Sequence, residues 1–199
     1  DLDVPVSVEE GAHQAIRDGF NIYTAADGTQ DLKQSIADKY ADHYNISVDP
    51  EEQVLVSAGA TGAFYAAMLA ILDPGDEVIL FEPYYGYHKS TLESLGCRVR
   101  YVQISLDNHR IDFAGLKKAI TPQTKALVIN NPLNPSGKVF SRDELDEIGG
   151  LLKGTGAAVV SDEIYEHFVY RGREHIPVTS VASLRERAII VSGFSKIFS

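Results

Sequence analysis

The sequence predicts an α/β fold, a mostly parallel central sheet with helices on both faces in three layers. Two observations predict it. Short apolar runs recur at 53–57, 77–81, 126–129, 157–160 and 188–191, with an alternating run at 98–104. Between them lie stretches of helical periodicity, at the spacing of strand–helix–strand units in which a sheet is covered on both faces and its strands read as continuous apolar blocks. No internal repeat, low-complexity tract or flexible linker interrupts the pattern, so residues 1–199 are expected to form one domain.

The elements follow in order. Ser7-Val8-Glu9-Glu10 has the letters of a capping box and predicts a helix to Arg17, ended by Gly19. Residues 21–28 are turn formers. A second helix is predicted from Thr29 to His43, with Leu32, Ile36, Tyr40 and His43 at helical spacing. The run 53–57 predicts a strand that breaks at Gly59 to Gly62 before an apolar helix over 63–72. A strand at 77–81 leads through an aromatic loop, Pro83 to Tyr87, to a helix ending at Gly96. The strand at 98–104 precedes a helix near 113–120, and the strand at 126–129 opens into Asn130-Asn131-Pro132-Leu133-Asn134-Pro135-Ser136-Gly137. Ser141 caps a helix over 142–153. The strand at 157–160 ends in Ser161-Asp162-Glu163, and the last, at 188–191, runs into Ser192-Gly193-Phe194-Ser195-Lys196.

Composition excludes several classes. A net charge of -10 argues against nucleic acid or an acidic membrane as partner. No run of about 18 apolar residues is long enough to span a bilayer. The single cysteine, Cys97, reads as a small buried strand residue and fits a reducing compartment. The six histidines (13, 43, 88, 109, 167 and 175) lack metal-ligand spacing, and no metal is expected. The chain opens on Asp1 with neither a signal-peptide pattern nor an initiator methionine, which points to a processed form or part of a longer protein.

Chemistry collects at the strand ends, where open α/β sheets bind ligands. Gly59, Ala60 and Thr61 stand where a helix begins, and backbone amides there can receive a phosphate. Tyr85 lies in an aromatic loop that can stack on a flat ring. Asn134 sits between two prolines in a loop of fixed backbone and can offer its amide. Asp162, an acid at the end of an apolar strand, requires a cationic partner, and Tyr165 follows three residues later. Lys196 lies just past the last strand; partly desolvated, its amine can act as a nucleophile toward carbonyls. Each has a plainer reading alone: a glycine turn, aromatics packed on the core, self-capping asparagines, a capping aspartate, a solvated lysine. Together they suit one ligand, a phosphorylated aromatic aldehyde with a protonatable ring nitrogen, which is pyridoxal phosphate.

Asn131-Pro132-Leu133-Asn134-Pro135-Ser136-Gly137, then Ser161-Asp162-Glu163-Ile164-Tyr165, then Gly193-Phe194-Ser195-Lys196 occur in one order along the chain. With Tyr23, Gly28 and Leu32 in a Tyr-x-x-x-x-Gly-x-x-x-Leu segment, the chain resembles the fold-type I pyridoxal-phosphate enzymes, class I/II aminotransferases, along essentially its whole length. The resemblance implies that Lys196 forms a Schiff base with the cofactor and later moves the substrate proton. It implies that Asp162 pairs with the ring nitrogen, that Asn134 and Tyr165 bond the ring's phenolic oxygen, and that Tyr85 stacks on the ring. It assigns the phosphate to Gly59, Ala60 and Thr61, with Tyr23 reaching the phosphate of a neighbouring subunit in a cytoplasmic homodimer. Where some members have a phosphate-binding serine three residues before the lysine, this chain has Gly193, and Ser195 or Ser192 stands in. The family motif runs past the lysine to a Gly-x-Arg, so the chain is expected to be the large-domain part of a longer enzyme. The implied reaction moves an amino group between an L-amino acid and a 2-oxo acid; a C–S β-lyase or a non-catalytic cofactor-binding regulatory domain would use the same residues.

Overall fold

The computed structural model describes residues 3–170 and 172–198. The chain groups into two compact units, one of Asp1–Gly59 with Gly193–Ser199, the other of Ala60–Ser192.

The larger unit holds five parallel strands in the order β2-β1-β3-β4-β5. They are β1 (Glu77–Glu82), β2 (Arg98–Gln103), β3 (Thr124–Asn130), β4 (Ala158–Asp162) and β5 (Ala188–Val191). The helices are α3 (Gly59–Ile71), α4 (Gly86–Ser94), α5 (Phe113–Ala119), α6 (Arg142–Leu151) and α7 (Ala182–Arg185), with a short 3-10 turn at Val178–Ser180. The period-2 alternation of strand side chains divides the core in two. Ile79, Phe81, Leu127, Ile129 and Val159 face Leu116 of α5, Leu145 and Ile148 of α6 and Leu184 of α7. Val78, Leu80, Ala126, Val128 and Val160 face Phe64 and Met68 of α3 and Leu92 of α4. Each such Val, Leu, Ile, Phe or Met side chain, fully buried, contributes about 1.5–3 kcal/mol. The same alternation sends Asp162 to the α3/α4 side with Val160, and Ser161 to the other side with Val159.

The chain runs from β1 outward to β2 and then returns across to β3 on the far side of β1. The β1/β3 boundary is therefore the topological switch point, where the carboxyl ends of the strands open a crevice.

Ser141 caps α6 as predicted, and the structure adds a full capping box with Glu144, both side-chain bonds being present. Several expectations are corrected. Ser7 caps nothing. The helix α1 (Val6–Arg17) starts earlier with Pro5 as its cap, and the Pro5 carbonyl accepts from Val8 and Glu9 N–H. Residues 53–57 form no strand: Val56 N–H bonds to the Asp27 carbonyl, Leu55 is exposed, and no described strand ladders to the segment. The predicted break at Gly59 is itself the first turn of α3, which begins four residues before the expected start. Cys97 is buried just ahead of β2 rather than within it.

In the smaller unit, α2 (Gln30–Tyr44) buries Lys33, Ala37 and Tyr40, whereas His43 is exposed. The buried Lys33 ammonium has carboxylate partners, Asp27 at 2.6 Å and Glu51 at 3.3 Å. They tie the loop before α2 to the turn after it.

Candidate active site

Asp162 ends β4, paired in register with Asn130 at the end of β3. Its carboxylate would be costly among apolar strand ends without partners, and it has two. Oδ2 lies 3.0 Å from His88 Nε2, and Oδ1 accepts from Ile164 N–H at 3.2 Å. The sequence calls for a cation; the structure supplies the imidazole of His88 from α4. The aspartate also caps the turn that follows the strand, so its plainer reading holds alongside the functional one.

His88 is buried, with its ring 4.4 Å from Phe64 and 5.5 Å from Tyr85, edge-on at 87°. Tyr85 is 43 % exposed and so keeps an open ring surface. Its neighbours in the aromatic loop are engaged elsewhere. Tyr84 stacks on Tyr101 of β2 at 5.4 Å, and the Tyr87 hydroxyl donates to the Thr61 carbonyl at 2.8 Å. That bond ties the aromatic loop to the first turn of α3. A cleft lined by Leu80, Tyr85, His88, Val128, Asn130 and Leu133 opens between the ends of β1 and β3, at the switch point.

The Asn-Pro loop is aimed from β3. The Asn130 side chain donates to the Asp162 carbonyl at 3.0 Å and accepts from Asn134 N–H at 2.7 Å. The Asn134 amide donates to the Tyr165 hydroxyl at 3.4 Å, a long bond that leaves both groups able to serve a common acceptor. Asp162, Tyr165, Asn134, Tyr85 and Thr61 thus belong to one unit, at or next to the strand ends, and Ala60 is half-buried in the first turn of α3.

Gly59, Tyr23, Ser195 and Lys196 belong to the other unit. Gly59 has φ +70, and a Cβ built on it meets nothing within 4 Å, so its backbone is open to a ligand. Tyr23 is fully exposed. Lys196 lies in a single turn closed by Ile197 and Phe198 N–H to the Phe194 carbonyl at 3.0 and 2.9 Å. The expectation of a partly desolvated lysine is corrected: Lys196 and Ser195 are exposed.

Three contributors escaped sequence reasoning. In the sequence His88 is only one of six histidines without metal-ligand spacing, since its bond to Asp162 spans 74 residues. Asn130 and Asn131 read as turn formers, yet both are buried. The Asn131 N–H bonds to the Asp162 carbonyl at 2.9 Å and its side chain accepts from Phe140 N–H. A polar residue closing an apolar strand was the signal available. Behind the site, Glu163 is buried against His175 at 3.0 Å and accepts from the Ser161 hydroxyl and from Val178 N–H. Among the described residues no group of three metal-ligating side chains is found, and no helix is long and apolar enough to cross a membrane.

A family model described as aminotransferase class I and II matches residues 1–199. The chain is 36% identical over 201 residues to a probable N-succinyldiaminopimelate aminotransferase of Mycobacterium tuberculosis, covering 100% of this chain and 51% of that one. It is 36% identical over 201 residues to an aspartate aminotransferase of Bacillus subtilis, with the same coverage of 100% and 51%. The solved structure of Escherichia coli YbdL, identified as a methionine aminotransferase, superposes with a TM-score of 0.96 at 32% identity, covering 100% of this chain and 52% of that one. The chain spans about half the length of the curated relatives it matches.

Proposed function

The chain belongs to the aminotransferase class I and II family, and from that premise we propose that the complete protein transfers an amino group between an L-amino acid and a 2-oxo acid, with pyridoxal phosphate as cofactor. Residues 1–199 are its cofactor-binding large domain. The observation that carries the reading is the buried Asp162 carboxylate, whose partner His88 lines the switch-point cleft together with Asn130, which bonds the Asp162 backbone carbonyl and the Asn134 N–H.

The residues suit the cofactor. Asp162 is acceptor-only when ionised and so matches a protonated ring nitrogen. Asn134 and Tyr165 are donors separated by one hydrogen-bond length and match a phenolic oxygen. The half-exposed Tyr85 ring offers a face to an aromatic ring. The open backbone at Gly59, with Ala60 and Thr61 in the first turn of α3, suits a phosphate. When bound, pyridoxal phosphate supplies an aldehyde and a ring that accepts electrons from the substrate's α-carbon. Lys196 would contribute the primary amine that reacts with such an aldehyde and the base that would carry the α-proton. Asp162 keeps the ring nitrogen protonated, and Ser195 adds a hydroxyl at the phosphate. Tyr23 serves the partner subunit's phosphate in a cytoplasmic homodimer. The relatives named above are aminotransferases, and none supports the β-lyase alternative.

Borohydride reduction of the complete protein loaded with pyridoxal phosphate tests this. The reduced cofactor is expected on Lys196 by peptide mapping. Lys196→Ala is expected to abolish amino transfer while shifting stability by less than about 0.5 kcal/mol, since the side chain is exposed. A Lys196→Ala protein that transaminates at the parent rate overturns the reading.

A further inference from the structure

Lys138 is the buried cation of the larger unit that the proposed chemistry leaves without a task. It immediately follows the Asn-Pro loop and is 4% exposed, and a lysine is almost never buried unless paired. Its ammonium has three neighbours from three elements. It donates to Glu144 Oε1 in the first turn of α6 at 2.6 Å and to the His109 carbonyl in the turn before α5 at 2.7 Å, and it lies 5.0 Å from the centre of the Phe140 ring. The other oxygen of Glu144 is already committed to the Ser141 N–H of the capping box at 2.9 Å. The lysine therefore grips a carboxylate that is itself immobile.

The backbone of Lys138 closes the loop. Its carbonyl accepts from Leu133 N–H at 2.8 Å, and the Gly137 N–H donates to the Leu133 carbonyl at 2.7 Å. Asn134 lies inside that closed stretch. The loop thus has two anchored ends: Asn130, bonded to the Asp162 carbonyl and to Asn134 N–H, and Lys138. Burial lowers the Lys138 pKa and the Glu144 carboxylate opposes that shift, as expected of a cation held in place by its partners.

We propose that Lys138 is a positioning residue for Asn134: its buried ammonium anchors the far end of the Asn-Pro loop to α6 and to the turn before α5, and so sets the direction of the Asn134 amide beside the Tyr165 hydroxyl. This rests on the aminotransferase reading, because it is through the cofactor's phenolic oxygen that a misdirected amide becomes measurable.

The test uses the complete protein, pyridoxal phosphate as probe, and two readouts besides activity: equilibrium cofactor affinity and the pH midpoint of the bound cofactor's absorbance change. Lys138→Met keeps the length of the stem and removes the charge. It is expected to weaken cofactor affinity about tenfold, the size of one well-placed hydrogen bond lost, and to move the pH midpoint in the same direction as Asn134→Ala. In an Asn134→Ala background the same change is expected to alter affinity less than about twofold, since residues acting through one contact are not additive. If Lys138→Met does not fold, Glu144→Gln carries the test: it keeps an acceptor for the capping box, removes the opposing charge, and is expected to act in the same direction by a smaller factor. A folded variant that loses thermal stability but keeps the parent affinity and pH midpoint overturns the proposal, as does full additivity with Asn134→Ala. A parent protein that takes up no pyridoxal phosphate overturns the aminotransferase reading together with this one, whereas a parent that binds it and variants that bind it equally overturn this one alone.

Discussion

Replacing His88 with phenylalanine isolates one contact at the centre of the site. The new ring can keep the packing against Phe64 and Tyr85 that the imidazole makes at 4.4 and 5.5 Å. Only the Nε2 group 3.0 Å from Asp162 Oδ2 is lost. The carboxylate then retains the 3.2 Å bond from Ile164 N–H in a site where its side chain is 10% exposed. A hydrogen bond to a charged group contributes about 1.5–3 kcal/mol when its partner cannot be fully replaced by water. With about 2 kcal/mol lost and a urea dependence of roughly 2 kcal/mol per molar, the midpoint of urea unfolding is expected to fall by about 1 M at unchanged slope. Asp162→Asn and the double variant complete a cycle in which the two single costs overlap by more than about 1 kcal/mol. Circular dichroism at increasing urea supplies all four numbers. A His88→Phe midpoint within about 0.2 M of the parent, with a coupling under about 0.5 kcal/mol, would refute the pairing and with it the account of why Asp162 can sit at the end of an apolar strand.

Two further outcomes test the frame that carries the site. Glu77 receives a bidentate Arg100 and the Thr121 hydroxyl, which hold its carboxyl down to about 2 from an ordinary 4.5. A depressed carboxyl stabilises the fold above its unfolded value and loses that contribution as pH falls through its folded value. Glu77→Gln is therefore expected to be less stable than the parent at neutral pH, with the gap closing between about pH 4.5 and about pH 2; parallel stability–pH curves over that window contradict it. Gly28 has φ +110, and a Cβ there would stand 2.5 Å from Val56 Cγ2. Gly28→Ala is expected to cost at least about 1–2 kcal/mol, and adding Val56→Ala relieves the clash but not the backbone strain. Full recovery in the double variant, read by thermal unfolding, contradicts the backbone part.

What could be read from the letters alone was whatever is decided over a few residues. The apolar blocks of β1, β3 and β4 declare buried parallel strands, because no edge or solvent face interrupts them. The Ser141 cap is legible because its bond closes within three residues. Asp162 was legible as a demand, since a carboxylate at such a place must be satisfied, and Asn134 and Tyr165 as a pair of donors once the motifs stood in order. What satisfies the demand was not legible: His88 reaches Asp162 from 74 positions away, a distance that only the β1-to-β3 crossover and the packing of α4 on the sheet can close. The same limit explains the errors. Residues 53–57 have the composition of a strand, but a strand exists only through neighbours that complete its ladder. Ser7 has the letters of a cap, but the backbone of Pro5 had already begun the helix. Lys33 and Lys138 have carboxylates only six residues away, yet their burial appears only when the chain folds around them. Local bonding energies are written in neighbouring residues; burial and long-range pairing come into being only when the chain folds, and the partners of Asp162 and Lys138 were decided there.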